Sequence, residues 1–201
     1  MAIDSYDAFA DELHQFWFGS LNTAGLAAPE QRSRWFEASD RFDELCRQRY
    51  GPVLRSLEPR TQDSWLNTPK RALAYVLLHD QIPRNLYRGT AQAFAYDERA
   101  REIARRAVTQ GLDTALGVDE CAFLYLPFEH SEARLDQFTA VGLFASLRDR
   151  VEPEHKSIAG SYLRHAQQHR DTILRFGRFP YRNKALGRTS TRDERSYLER
   201  S

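Results

Sequence analysis

Two well-separated segments of this sequence each place an arginine and an asparagine side by side, shortly after a proline. The first segment is residues 82–90 and the second is residues 179–189. A guanidinium group presents a planar fork of N–H donors that matches carboxylate and phosphate oxygens. The repeated order predicts that the two segments form two walls of one polar pocket for a small anionic ligand.

The residue at position 80 needs hydrogen-bond donors. Helical spacing from Leu73 and Val76 turns Asp80 toward the core, where an unpaired carboxylate costs several kcal/mol. Arg84 is the nearest cation along the chain. The predicted ligand-binding residues are Asp80, Arg84, Asn85, Arg88, Glu129, His130, Arg178, Arg182 and Asn183. The alternative is that these arginines pair with Asp80, Glu129 and Glu132 and only hold loops to helices.

A second kind of chemistry is suggested by Glu129 and His130, which are adjacent in sequence. A histidine can act as a general base when a carboxylate orients its ring, and either Glu129 or Asp80 could do so here. Hydrolysis is therefore an alternative function for the same region. A histidine on a helix face is more often a satisfied core residue, so enzymatic activity stays open and no residue is assigned as catalytic.

Metal chemistry has one weak signal. His165 and His169 are four residues apart, a spacing that metal sites use on a helix. The sequence fixes no third or fourth ligand near them. Neither a metal site nor a cofactor is predicted.

Helical periodicity accounts for the elements that would position these groups. Apolar residues recur every three or four positions, and no segment alternates strictly, so the sequence predicts an all-α fold without strands. About eight helices joined by short links predict antiparallel helix pairs, packed as a bundle or as a short right-handed stack like tetratricopeptide repeats. The prediction is a single domain over residues 1–201.

Three local features of this fold are predicted from prolines and apolar spacing. Pro52 is expected to kink or split a helix from Ser39 to Leu57. Residues 77–90 are expected to pass from a helix end into a polar loop. An apolar stripe is expected to continue across Pro127, where the helix kinks or restarts. Its members are Leu124, Phe128, Ser131, Leu135, Phe138, Gly142 and Ala145.

Several longer motifs resemble a known family. They are Phe16-Trp17-Phe18-Gly19, Arg34-Trp35-Phe36, Asp80-Gln81-Ile82-Pro83-Arg84-Asn85-Leu86-Tyr87-Arg88-Gly89-Thr90, Phe123-Leu124-Tyr125-Leu126-Pro127-Phe128-Glu129-His130-Ser131-Glu132 and Arg175-Phe176-Gly177-Arg178-Phe179-Pro180-Tyr181-Arg182-Asn183. In this order they resemble the bacterial family known as domain of unknown function 924, over about residues 13–198. The resemblance implies an all-helical, tetratricopeptide-like fold. It implies no activity and no catalytic residues.

Composition and charge limit the classes of binding partner. The net charge is +1, but residues 160–201 carry nine Arg, one Lys and four acids. These basic residues are interrupted by acids and match no nucleic-acid motif, so nucleic-acid binding is not expected. No apolar run approaches the roughly 20 residues that span a bilayer, and no secretory signal is visible. Two cysteines in helical patterns favour a reducing, cytoplasmic location.

A protein partner is a further possibility. Stacked helix pairs present concave surfaces that bind peptides. The aromatic residues that could line such a surface are Trp17, Trp35, Trp65, Tyr87 and Tyr125. Large aromatic residues at helical spacing are more often core, so this interaction scaffold is an alternative to the ligand pocket.

Overall fold

Helices form nearly all of the regular structure in the residues that the computed structural model describes, 5–37, 39–56 and 59–200. The α-helices among them are α1 (Tyr6–Phe18), α2 (Pro29–Phe36), α3 (Asp40–Ser56), α4 (Pro69–Val76), α5 (Ile82–Leu86), α6 (Asp97–Thr109), α7 (Val118–Glu129), α8 (Arg134–Arg150), α9 (Lys156–Phe176) and α10 (Arg192–Leu198). They pack as a bundle, which confirms the predicted all-α fold. The tetratricopeptide-like handedness and the single-domain assignment stay predictions.

Local start and stop signals explain where several helices begin and end. The side chain of Thr68 accepts a hydrogen bond from the first turn of α4, and Pro69 occupies that turn. Thr191 and Glu194 form a capping box at the start of α10. Gly177 ends α9 with a φ of 69°, a conformation that glycine adopts without strain.

The core is centred on α4, which packs against α1, α6 and α7. Trp17, Trp65 and Tyr125 are at most 1% exposed, so their rings belong to the core. Trp17 meets Phe123 edge to face with ring centres 5.5 Å apart. These three aromatic residues therefore do not line a concave binding surface, and that part of the scaffold prediction is wrong.

The helix that begins as α4 continues through a π-turn at Leu77–Gln81 into α5. The amide of Ile82 bonds to the carbonyl of Leu77, five residues back. A proline lacks an N–H group, and its ring crowds the carbonyl four residues earlier. The wider π-turn precedes Pro83 and accommodates it, because its hydrogen bonds skip one more residue. The predicted polar loop is therefore wrong up to Leu86, and turn structure begins only at Tyr87.

Helices α7, α8 and α9 form an up-down-up unit in which α8 packs against both neighbours. The outer helices α7 and α9 run parallel, since Asp119 meets Tyr162 and Glu129 meets His169 farther along both helices. This direction sets the order in which their side chains line the site.

The apolar stripe predicted to run from α7 into α8 ends at the break between them. Leu135 is 74% exposed and Phe138 is 53% exposed, so the prediction is wrong for α8. Residues 130–133 interrupt the helix, and this interruption resets the rotation of everything that follows. The residues that α8 buries instead are Asp136, Gln137, Ala140, Phe144 and Leu147.

Two further predictions concern helix continuity. α3 runs unbroken through Pro52, whose side chain is exposed, so the helix does not split there. Its predicted end at Leu57 lies outside the described residues. α7 likewise continues through Pro127 and ends at Glu129. Among the helices of the described residues, none has the length and apolar character needed to cross a membrane.

Candidate functional site

Three helical faces and one tryptophan enclose a cavity of about 410 Å³. Residues spaced three, four or eight apart on α7 and α9 lie on one face of each helix and point into it. The π-turn, α5 and the turn after it supply the third wall. The lining residues are Trp35, Gln81, Arg84, Asn85, Arg88, Ala122, Phe123, Leu126, Glu129, His130, Ser161, Tyr162, His165 and His169. The volume is in the range of sites for small molecules.

At one end of this cavity, His130 is bound to a buried carboxylate. Its Nδ1 lies 2.9 Å from both oxygens of Asp80, which is 0% exposed. Gln81 Nε2 donates a 2.6 Å hydrogen bond to Asp80, and Arg84 Nη1 lies 3.3 Å from Oδ1 of Asp80. Burial alone would raise the pKa of Asp80, but the charge of Arg84 and the contacts of His130 hold that pKa below its usual value.

An ionised Asp80 fixes the tautomer of His130. The Nδ1–H group donates to the carboxylate, so Nε2 carries the lone pair on a ring that lines the cavity. Burial lowers the pKa of His130 below 6.5, although Asp80 pulls it the other way. The histidine is therefore held neutral and able to accept a proton at neutral pH.

The π-turn brings Asp80 and Gln81 to this position and turns the preceding residue away. His79 is 1% exposed, and its ring stacks on Tyr75 with centres 3.9 Å apart. Its Nδ1 lies 2.9 Å from the Tyr75 carbonyl, and burial lowers the pKa of His79 to about 4. His79 is thus a neutral core residue. A π-turn inside a helix is frequent at functional sites.

Beside this pair, Glu129 contacts His169. Oε1 of Glu129 lies 3.2 Å from Nδ1 of His169. Burial and the nearby charge of Asp80 raise the pKa of Glu129 to about 8, and burial lowers the pKa of His169 to about 4. At neutral pH this contact therefore joins two uncharged side chains, and the hydrogen bond of His169 Nδ1 is to the backbone carbonyl of Glu129 at 3.4 Å. The cavity holds a protonated carboxyl and a neutral imidazole together, as acid–base sites do.

The two proline-arginine-asparagine segments meet at Asp97, the first residue of α6. Arg84 grips both oxygens of Asp97 at 2.8 Å and 3.0 Å, and Arg182 Nη1 lies 3.7 Å from the same carboxylate. The guanidinium of Arg182 sits 4.6 Å from the ring centres of both Phe94 and Phe179. Asp97 therefore joins segments far apart in the sequence.

The other end of the cavity holds Arg88. Its Nε and Nη2 donate to the two oxygens of Asp43 at 2.9 Å and 2.8 Å. Its Nη2 also lies 3.4 Å from Oδ1 of Asn85. The side chain of Arg88 is 50% exposed, and within the described part of the chain its Nη1 makes no hydrogen bond. Nη1 of this guanidinium is thus left free to donate to a further acceptor.

The remaining polar groups of the second segment bind protein carboxylates. Arg178 donates to both oxygens of Glu194, at 2.6 Å and 2.9 Å. Arg188 grips both oxygens of Glu132 at 2.7 Å and 2.9 Å, and Asn183 Nδ2 lies 3.3 Å from Glu194.

The predicted ligand-binding residues thus fall into three groups. Arg84, Asn85, Arg88, Glu129 and His130 line the cavity, and Asp80 supports His130. Arg178, Arg182 and Asn183 are absent from the cavity wall and hold the second segment in place. The first segment is bound in part in the same way, since Arg84 and Arg88 also pair with carboxylates.

Sequence reasoning missed Gln81, Tyr162, Asp97 and Asp43. Gln81 carried a usable signal, because it precedes Arg84, Asn85 and Arg88 at helical spacing. Asp97 was identifiable only as the start of a helix. Its role as a bridge depends on tertiary packing. In the described ranges, no group of three or more histidine, cysteine or acidic side chains is arranged to hold a metal ion.

Comparisons with known proteins found one family model and a similar solved structure. A family model described as a bacterial protein of unknown function (DUF924) matches residues 13–201. A solved structure described as a protein of unknown function, ATU0120 from Agrobacterium tumefaciens, is 36% identical, with a TM-score of 0.81. The match covers 98% of this chain and all of the other. None of the curated proteins matches this chain.

Proposed function

The chain belongs to the DUF924 family of bacterial proteins of unknown function, and we propose that it is an enzyme that performs acid–base chemistry on a small molecule bound beside His130. The observation that carries this proposal is the contact of His130 Nδ1 with the fully buried Asp80, on a ring that lines a cavity of about 410 Å³. A buried carboxylate behind a histidine fixes its tautomer and stabilises the imidazolium that forms on protonation.

The acid partner is Glu129. Its carboxyl has a pKa of about 8 and is protonated at neutral pH, so Glu129 can donate a proton while His130 accepts one. Hydrolysis is the reaction that needs no group beyond these two and water. His130 Nε2 takes a proton from water as its oxygen attacks the substrate. Glu129 gives its proton to the leaving group, and the proton on His130 then returns to Glu129 through solvent.

The experiment is a turnover screen with paired variants. Purified protein is assayed with panels of chromogenic esters, amides, glycosides and phosphates, and His130→Gln is assayed on every substrate that responds. General-base catalysis contributes about 10²–10⁴-fold, so a loss of that size is expected. Asp80→Asn is expected to reduce turnover as well, since an amide favours the wrong tautomer of His130.

The matched control is His155→Gln. His155 lies in the turn before α9 and outside the cavity. Turnover that survives in His130→Gln as well as in His155→Gln would overturn the proposal. Both variants should keep the wild-type melting temperature within a few degrees, so that lost turnover is not lost folding.

A second candidate is binding of a small anion without turnover. It is favoured by Arg84, Asn85 and Arg88 in the cavity wall. Phosphate, sulfate and carboxylates would then raise the melting temperature of wild-type protein and of His130→Gln equally. Equal stabilisation with no turnover in the screen would favour this candidate over the enzyme.

A further inference from the structure

We infer that the molecule bound in the cavity is an amphipathic carboxylate, with its carboxylate on the open edge of Arg88 and an apolar body against Trp35, Phe123 and Leu126. This inference rests on the proposed function, because it names the class of substrate for the same site.

Two walls of the cavity, the one formed by the π-turn with α5 and the one formed by α7 with Trp35, differ in chemistry. The wall from the π-turn through α5 into the following turn is polar, with Gln81, Arg84 and Asn85 on one helical face and Arg88 in the turn. The opposite wall is apolar where α7 and α2 meet. Trp35 packs its ring edge to face on Phe123 at 4.7 Å, and its Nε1 donates to the Trp17 carbonyl at 2.8 Å. An indole held by these contacts is a rigid surface for an apolar group.

The walls also fix the length of the ligand. Asp80 meets His130 at one end, and Arg88 meets Asp43 of α3 at the other. Phe123 precedes His130 by seven residues on α7, which is about 10 Å along a helix. On the polar wall, Gln81 and Arg88 lie seven residues apart, at the two ends of α5. A bound molecule therefore spans about 10 Å between its reacting group and its carboxylate.

The state of Arg88 selects a carboxylate over a phosphate. Asp43 holds two donors of the guanidinium, which fixes its orientation and leaves the Nη1 edge open. Nη1 can donate a charge-assisted hydrogen bond to a carboxylate oxygen. A dianionic phosphate would lie beside the charge of Asp43. Arg84, the other arginine of this wall, donates from both Nη atoms to Asp97. Its charge is therefore already paired and does not offset that repulsion.

The test is titration calorimetry with a matched series of ligands. Phenylacetate, 4-phenylbutyrate and 6-phenylhexanoate vary the length of the body, and 4-phenylbutyramide removes the charge. Phenyl phosphate supplies the dianion. Wild-type protein is expected to bind 4-phenylbutyrate about tenfold or more tightly than its amide, since a charge-assisted hydrogen bond contributes at least that ratio. Phenylacetate is expected to bind more weakly because it does not span the cavity.

Variants test which residues contact the carboxylate and the apolar body of the ligand. Arg88→Gln is expected to bind acid and amide equally, and Arg88→Lys to recover part of the preference for the acid. Trp35→Leu is expected to weaken acid and amide alike. The control is Arg148→Gln, an exposed arginine that pairs with the neighbouring Asp149 outside the cavity. Equal binding of acid and amide by wild-type protein, tighter binding of phenyl phosphate, or no binding of any aryl acid would overturn the inference.

The two proposals fail in different ways. If 4-phenylbutyrate binds through Arg88 and no substrate is turned over, the inference stands and the enzymatic proposal falls. If uncharged esters are turned over through His130 with no effect of Arg88→Gln, the enzymatic proposal stands and the inference falls.

Discussion

The two proline-arginine-asparagine segments look alike in sequence and differ in structure. In the first, Arg84 and Asn85 on α5 and Arg88 in the turn after it line a cavity. In the second, Arg182 and Asn183 are buried in a short 3₁₀ turn. Both segments lie near carboxylate side chains. At the cavity Glu129 is held protonated, whereas Glu132 and Glu194 are held ionised by arginines.

This difference teaches that an arginine motif does not define a binding site by itself. The secondary structure under the motif decides whether its side chains point into open space or into the protein. A continuous helix presents residues three and four apart on one side. The 3₁₀ turn after α9 instead folds back on itself and on Glu132, so its donors are used within the protein.

The largest expected effect comes from the carboxylate behind the cavity. Asp80→Ala leaves His130 without its partner and removes one of the two carboxylates that neutralise the partly buried Arg84. Removing one side of a buried charge pair costs about 3–5 kcal/mol of unfolding free energy. Urea denaturation measures it, with the isosteric Asp80→Asn as the milder control. A loss below about 1 kcal/mol would mean that Asp80 is not the electrostatic centre of the site.

The next effect tests the second segment. Arg188→Gln removes two charged hydrogen bonds to Glu132 and one contact with Asn183. A hydrogen bond to a charged group contributes about 1.5–3 kcal/mol, so a loss in this range is expected in urea denaturation. Ligand affinity should be unchanged once the protein is folded. A change in affinity without a change in stability would place Arg188 in the site after all.

The pH dependence of stability should have opposite signs at the two regions. The pKa of Glu129 is raised from 4.5 to about 8 in the folded protein, so the folded state keeps a proton that the unfolded state has released. Stability therefore falls as pH rises from 4.5 to 8. Bonds from Arg178 lower the pKa of Glu194 from 4.5 to about 2, so its contribution is lost as pH falls through that interval.

Glu129→Gln and Glu194→Gln separate these two slopes. Melting temperatures across the two pH intervals are compared with the wild-type curve. Glu129→Gln should flatten the loss above pH 4.5, and Glu194→Gln should flatten the loss below it. The differences should reach about 10 °C, because each unit of pKa change corresponds to about 1.4 kcal/mol and 1 kcal/mol shifts melting by about 2–4 °C at this size. Parallel curves for wild type and Glu129→Gln would show that Glu129 is ionised.

The smallest expected change in stability is at the open end of the cavity. Arg88→Gln should cost no more than about 1 kcal/mol, since half of its side chain is exposed and exposed ion pairs contribute little. Arg188→Gln is the variant to compare with it, because Arg88 would bind a ligand whereas Arg188 stabilises the fold. Urea denaturation of both variants side by side measures it. Equal losses would remove the distinction.

Local signals made much of the fold predictable. Thr68 with Pro69, and Thr191 with Glu194, act within a single helical turn, so their effect is readable without tertiary structure. The π-turn before Pro83 was not readable, because its hydrogen bonds depend on packing around α4 rather than on residue type. The exposed face of α8, with Leu135, follows from the break after Glu129, which periodicity across the break could not detect.

The candidate site divides in the same way. A carboxylate behind His130 was among the predicted orienting groups, and Asp80 is in contact with it because both positions turn toward the core. The pairing of Arg84 with Asp97, and of Arg88 with Asp43, joins elements whose approach no local pattern specifies. The sequence shows how many carboxylates could pair with these arginines, but not which carboxylate each arginine binds.

The bridge at Asp97 has a consequence for biosynthesis. A nascent polypeptide that ends within α9 already contains Asp97 and Glu132, but neither Arg182 nor Arg188 has yet been made. Arg84 is then the cation that Asp97 can reach, and Glu132 lacks its guanidinium partner. Ribosomes must therefore translate past α9 before this electrostatic framework can close, and a stalled product would hold Asp97 through Arg84 alone and leave Glu132 without its arginine.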